Sequence, residues 1–356
     1  MANQIAYGFY DLKSLFANRV TNDLIPTLNT AIDATFAEHN RQLDAMTSLF
    51  IRRTTQFKQS YASAVLANLQ PLDQNARALP IQVAGRYEVA FPLQRAGTAW
   101  GTNYITRVKM TVEEVNNTVI TLQMADKRWM RYHMLAALYA NVTWSFNDLE
   151  HGVLTIPGLA NGDTTQYQIM AGTDAGTTDT HYLAQAAAIS DAADPFPTIV
   201  PELKEHPENS GDVVVLIPTN LKAAVQALAG YFPAADRNID LGQNTARLTG
   251  TLGVDVPGEL FGYHDAGAWL VEWKNLPDNY MIATMTGGER AIAMREEPEQ
   301  ELQGFKRVAD RENYPFFESQ YLRIAGFGAW NRVGALVYRI GNAAYTAAPT
   351  GYVAPI

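Results

Sequence analysis

Apolar positions between Ala31 and Leu69 recur at helical spacing. Ile32, Phe36, Leu43, Met46, Phe50, Phe57, Tyr61 and Val65 share about 100° of arc, with Arg41, Asp44, Arg52 and Lys58 off the stripe. The pattern predicts one long helix over 31–69, closed by Pro71, after an arm or short helices over residues 1–30. From Arg86 to Gln123 the period changes to two. Tyr87, Val89, Phe91 and Leu93 alternate with polar or small residues, and Thr106, Val108, Met110 and Val112 alternate with Arg107, Lys109, Thr111 and Glu113. The pattern predicts a ribbon with a tip at Arg95–Thr102, where Gly97 and Gly101 flank Trp100. Asn116-Asn117 is read as a turn into a further strand, Thr118–Gln123.

Asp126 is placed to cap a helix over Lys127–Asn141, and His181–Ile189 reads as a short Ala-rich helix. Pro195, Pro197, Pro201 and Pro207 make Asp194–Gly211 the best boundary candidate. Val213–Ile217 is an unbroken apolar run of the kind buried on both sheet faces. A helix through Leu221, Ala224, Val225 and Leu228 follows, capped by Thr219 or Asn220. Three hairpins are predicted: around Asp265-Ala266-Gly267, around Gly287-Gly288 and around Asn331-Arg332. Residues 296–318 read as a charged loop, and the tail from Ala343 as an extended arm.

Composition narrows the function. Only 18% of the 356 residues are charged and 47% are hydrophobic, which leaves apolar surface for burial in a large core or against other chains. The net charge of −9 argues against a phosphate-gripping surface, because nucleic-acid affinity rests on clustered Lys and Arg. The basic stretches, Arg52-Arg53 and Lys127-Arg128 with Arg131, are short and set in predicted helix. With no cysteine, thiolate metal sites, disulfides and a cysteine nucleophile are excluded. No basic region precedes an apolar stretch at the N-terminus, and no apolar run is long enough to span a bilayer, so a soluble protein made in the cytoplasm is expected.

Catalytic signatures are missing. There is no phosphate-binding loop and no G-x-S-x-G elbow, and Gly326-Phe327-Gly328 lacks the third glycine of a dinucleotide loop. The histidines (39, 133, 151, 181, 206, 264) are scattered, without the i, i+4 pairing of a helical metal site. Glu296, Glu297, Glu299 and Glu301 read as a solvated face. No catalytic, cofactor-binding or metal-binding residue is assigned, and a soluble enzyme of unrecognised mechanism stays open as the alternative from a different class.

Five stretches in order carry a resemblance: LTIPGLANGD (154–163), HYLAQ (181–185), HPENSGDVVVLIPTN (206–220), WLVEWKNLPDNYMIA (269–283) and LRIAGFGAWNRVGALV (322–337). With the element order, they resemble the major capsid proteins of tailed bacteriophages. The resemblance implies an α+β fold of the Hong Kong 97 type. Residues 1–80 would form an N-terminal arm and long helix, 81–123 an extended β-hairpin loop, and 124–205 a peripheral domain with spine helix. Residues 206–300 would form an axial domain, and 301–356 the return to the peripheral domain with a C-terminal arm. The implied role is non-enzymatic: a shell of self-assembled pentamers and hexamers enclosing double-stranded DNA without sequence-specific contacts. The implied partners are a portal protein and scaffold or cement proteins, with no membrane, and the implied location is the virion capsid, assembled in the host bacterial cytoplasm.

Many relatives lose an N-terminal scaffolding segment; with Met1 present, residues 31–69 read as a structural arm. An encapsulin-like shell is the alternative of the same fold. Intersubunit contacts are expected at Arg95, Gly97, Trp100, Gly101 and Lys109. The family's founding member cross-links a Lys to an Asn with help from a Glu. Lys109 is the ribbon's one Lys, with Asn313 and Glu318 the nearest counterparts, but the spacing does not match and no cross-link is assigned.

Overall fold

The structure, a computed structural model, describes residues 25–62, 74, 86–148, 150–170, 176–234, 256–313 and 316–353. Of the arm or short helices expected over 1–30, residues 1–24 lie outside the described residues, as do Val65, Leu69 and Pro71, whereas 25–30 open a long helix. The chain divides into two compact units. Of the described residues, the smaller holds those within 25–43, 94–131 and 297–324, and the larger those within 44–93, 132–296 and 325–353.

The larger unit is built around the apolar run read at 213–217. It lies in strand β10 (Asn209–Ile217), which pairs in parallel with β13 (Ala268–Glu272) and antiparallel with β14 (Tyr280–Gly288). With β9 (Tyr182–Gln185), β11 (Tyr231–Pro233), β12 (Glu259–His264) and β18 (Ala335–Ile340) it forms a seven-stranded sheet in the order β11-β12-β13-β10-β14-β18-β9. Val213, Val215 and Ile217 join a core with Phe196, Ile199, Val200 and Leu203 of helix α4 (Phe196–Lys204) and Leu221 and Val225 of α5 (Thr219–Gln226). Val214 and Leu216, on the opposite face, are also fully buried. The hairpin predicted around Asp265–Gly267 is β12–β13, with Gly267 at φ +100° where a β-carbon would be strained.

Several expectations are corrected here. The predicted boundary over 194–211 holds α4, because Pro195 caps it and Pro197 lies in its first turn, where backbone N–H groups have no helical partner. Only Pro201 lies inside the helix. Pro218, not Thr219 or Asn220, is the N-cap of α5. His181–Ile189 is no helix: Tyr182–Gln185 pairs in parallel with β18, whose ladder outweighs the helix propensity of its alanines. The hairpins at Gly287-Gly288 and Asn331-Arg332 do not form. β14 pairs with β10 and β18, whereas β15 (Ile292–Arg295) pairs with β1 (Ile51–Thr54) and β17 (Phe316–Ala329). The tail is tied down: the Tyr345 hydroxyl donates to the Tyr139 carbonyl at 2.8 Å, and the Tyr352 ring lies 5.1 Å from that of Tyr132.

The predicted 31–69 helix is shorter and starts earlier, as α1 (Ile25–Thr47). Ile32, Phe36 and Leu43 are buried as the stripe requires. After Thr47 the chain enters β1 and β2 (Lys58–Ala62), which pair with β15 and with β3 (Arg86–Ala90). Leu49 and Phe50 are both fully buried, which one helical face cannot achieve for neighbours. Arg52-Arg53 therefore lies on a strand. Phe57 stacks on His151 at 3.9 Å between ring centroids.

In the smaller unit the predicted tip is instead strand β4 (Gln94–Asn103), and its expected return strands are helices α2 (Tyr104–Lys109) and α3 (Val112–Tyr139). Thr111 and Glu114 form a capping box. The Thr111 N–H donates to the Glu114 carboxylate at 2.9 Å, and the Glu114 N–H donates to Oγ1 of Thr111 at 3.3 Å. Asp126 is thus in mid-helix rather than a cap. The segment expected to be a loop over 296–318 contains a 3-10 turn (Gln300–Leu302), β16 (Lys306–Asn313) and the start of β17, and β16 pairs antiparallel with β17. Val115, Val119 and Leu122 of α3 pack with Ile32 and Phe36 of α1 and with Phe305 and Tyr321.

Candidate functional site

The five expected contact residues all fall in the smaller unit. Among the described residues, β4 pairs only with β17, leaving its other edge open. Burial alternates along β4, with Arg95, Gly97, Ala99, Gly101 and Asn103 on the exposed face. Arg95 reaches toward the buried Glu297 carboxylate, 3.9 Å away, and Lys109 is exposed at the end of α2. Trp100 points the other way. It is half-buried and packs on the α1–α3 core, beside Leu28 and Met110. Four of the five therefore share exposure, whereas Trp100 has an apolar neighbourhood within its own unit. Replacing it with Ala should lower subunit stability by about 1–3 kcal/mol, part of the cost of emptying a full aromatic site. Denaturant unfolding of the protein checks this; an unchanged midpoint would show that the ring contributes nothing to the fold.

A second constellation, in the larger unit, was not read from the sequence. Arg332, 1% exposed, donates to the carbonyls of Gly158 at 2.8 Å and Leu159 at 3.1 Å and pairs with Asp163 at 2.8 Å. Its guanidinium lies 5.7 Å from the Tyr87 ring centre and 5.9 Å from that of Tyr167. Asn209 donates to the carbonyls of Leu203 and Val333, both at 2.8 Å, and the His181 ring donates to the Ala335 carbonyl at 2.8 Å. Four of the five quoted stretches thus meet at the loop between β17 and β18. Gly326 and Gly328 also have a packing reason: a β-carbon at 326 would fall 1.5 Å from the Pro92 carbonyl, and one at 328 would fall 2.8 Å from that of Ala90.

The acidic cluster is corrected as well. Glu296 and Glu297 are buried, and Glu296 accepts from Arg53 at 3.0 Å. His264 and Asp265, neighbours in sequence, meet at 3.1 Å. His39 contacts the mid-helix Asp126 at 2.9 Å, and Arg323 donates two hydrogen bonds to the same carboxylate at 2.7 and 2.6 Å. His181 and His206, 25 residues apart, lie side by side.

No family model matches the sequence, and no curated protein matches it. Among solved structures, a chain from Mycobacterium phage Patience shares the fold over 100% of this chain and 99% of its own, with a TM-score of 0.67 and 18% identity. That likeness shows the fold: a mixed α+β fold of the phage kind that the sequence resembles. Weaker likenesses run to the capsid of a native GTA particle (TM-score 0.49, 12% identity, 85% of this chain and 90% of that one). Another is to the satellite phage P4 procapsid that includes the size determination protein (TM-score 0.41, 13% identity, 94% and 96%).

Proposed function

We propose that this protein is the major capsid protein of a tailed phage, a subunit that closes into an icosahedral shell around double-stranded DNA. The observation that carries the reading is the end-to-end fold likeness to a phage protein, joined to the five stretches that resemble this family. Exposed apolar groups support it: Ile105 is 67% and Phe316 65% exposed, surface that association would remove from water. Portal, scaffold and cement proteins are the partners this role calls for, and the host cytoplasm is the place of assembly.

Within this reading the extended loop is reassigned. The β2–β3 ladder, from Lys58 paired with Ala90 to Ala62 paired with Arg86, suits its base better than residues 81–123, much of which is helical. Helix α3 then serves as the spine and the seven-stranded unit as the axial domain. Intersubunit contact is assigned to the open edge and exposed face of β4, at Arg95, Gly97 and Gly101, with Lys109 beyond it. Expression of the full chain, followed by sedimentation and negative-stain microscopy, should yield closed particles of megadalton mass. A monomer or dimer that persists at high concentration under every salt and temperature would sink the proposal.

A further inference from the structure

Three acceptor atoms converge in the larger unit. Nε2 of His181 and Nε2 of His206 are 3.1 Å apart, and each lies 2.9 Å from Oδ2 of Asp179. Asp179 belongs to strand β8 (Gly176–Thr180), His181 directly follows it, and His206 follows α4. Both imidazoles are completely buried. The opposite ring nitrogens fix the tautomers. Nδ1 of His181 lies 2.8 Å from the Ala335 carbonyl, and Nδ1 of His206 lies 3.0 Å from the Gln168 carbonyl. A carbonyl can only accept, so each Nδ1 carries a hydrogen and each neutral ring turns an Nε2 lone pair inward. With both rings neutral, two lone pairs and a carboxylate oxygen would face one another with no donor between them, a repulsion that a cation or a proton relieves.

We propose that His181, His206 and Asp179 form a binding site for a divalent transition-metal ion of the zinc type, completed by the carboxylate of Glu205. The triangle has the right size: Zn–N and Zn–O bonds of about 2.0–2.1 Å place tetrahedral ligands about 3.3 Å apart, so the three atoms need move only a few tenths of an ångström. Imidazole nitrogen selects zinc over calcium or magnesium, which take oxygen ligands. The backbone carbonyls behind both rings are the outer-shell partners that orient metal-bound histidines. Glu205 lies 3.9 Å from Nε2 of His206 and is 27% exposed, giving the ion a route in from solvent. Glu202 stands beside it: the Asp179, Glu202 and Glu205 carboxylates also cluster within ligand reach.

The competing occupant is a proton. Burial lowers the pKa of His206, but hydrogen bonds to Asp179 and Gln168 outweigh it and raise the balance, so an imidazolium could fill the gap instead. The role is structural: a bound ion would join β8, the start of β9 and the end of α4.

The test uses untagged full-length protein, stripped with chelator and titrated with zinc chloride at pH 8. One equivalent per chain is expected, with the melting temperature raised by roughly 4 °C at a hundredfold excess over Kd. Cobalt(II) should replace zinc and show the visible absorption of four-coordinate geometry. Glu205→Gln should weaken zinc binding tenfold or more, and His206→Gln should abolish it. If the histidine variants fail to fold, zinc titration of the stripped wild type still decides. A wild type indifferent to zinc and to chelator would show a proton-bridged cluster and overturn the proposal. So would stoichiometric binding that survives in a folded His181→Gln/His206→Gln variant.

Discussion

Arg332→Met is expected to lower the stability of the protein by about 3–5 kcal/mol, the range seen when one partner of a buried charged network is removed. Methionine keeps the apolar stem but supplies no donor. The Gly158 and Leu159 carbonyls would then be buried without their guanidinium, at about 1–3 kcal/mol for each orphaned group. Arg332→Lys should recover less than half of the loss, since an ammonium is a point donor and cannot serve both carbonyls, Asp163 and Asn161 as a planar fork does. The urea midpoint of the subunit measures both. A loss below about 1 kcal/mol for the methionine variant would mean that water takes over the guanidinium's hydrogen bonds.

Asp126→Ala should have a comparable effect in the smaller unit, about 3–5 kcal/mol, because it strands the buried Arg323 guanidinium and leaves His39 without its acceptor. Asp126→Leu combined with Arg323→Met should restore much of the loss, since an apolar pair carries no desolvation penalty. A double variant no better than Asp126→Ala would show that the pair is needed for the correct packing itself. The pH dependence has a definite sign. Burial raises the Asp126 pKa, but the bonds from His39 and Arg323 more than offset it, so the carboxyl titrates below its usual value. A depressed carboxylate contributes stability above the unfolded value, near 4, and loses it as pH falls further. The wild type should therefore weaken in acid more steeply than the double variant.

These two buried networks also mark where sequence patterns stop being informative. Val213–Ile217 and the turn at Asp265–Gly267 were legible because both signals are local: an unbroken apolar run and a glycine at positive φ. Helix α3 carries a clean stripe through Val115, Val119, Leu122, Met130 and Met134, and Thr111 with Glu114 announces its start. Asp126 sits on that stripe, and a carboxylate at a core position hides the period unless its distant Arg323 is known. The false hairpins arose for a related reason: β14, β15, β17 and β18 each pair with strands far away in sequence, so a glycine or asparagine between two apolar runs says nothing about partners. Among the site residues, Arg95, Gly97, Trp100 and Gly101 read as a loop tip; they lie instead on strand β4, whose alternation puts Arg95, Gly97 and Gly101 on the exposed face. The burial of Trp100 depends on α1 and α3 and could not be read locally. Neither could the meeting of His181 with His206, which strand topology produces.

Strand β18 also sets a schedule for synthesis. β9 finds its only strand partner among the described residues in β18, the last strand of the chain, which also covers the free side of β14. At ribosomal speed the gap of roughly 150 residues takes about 8–30 s to translate, and for that interval the sheet exists with a missing slat. A chain cut before β18 therefore leaves β9, and one edge of β14, without the strand partner that the described residues provide.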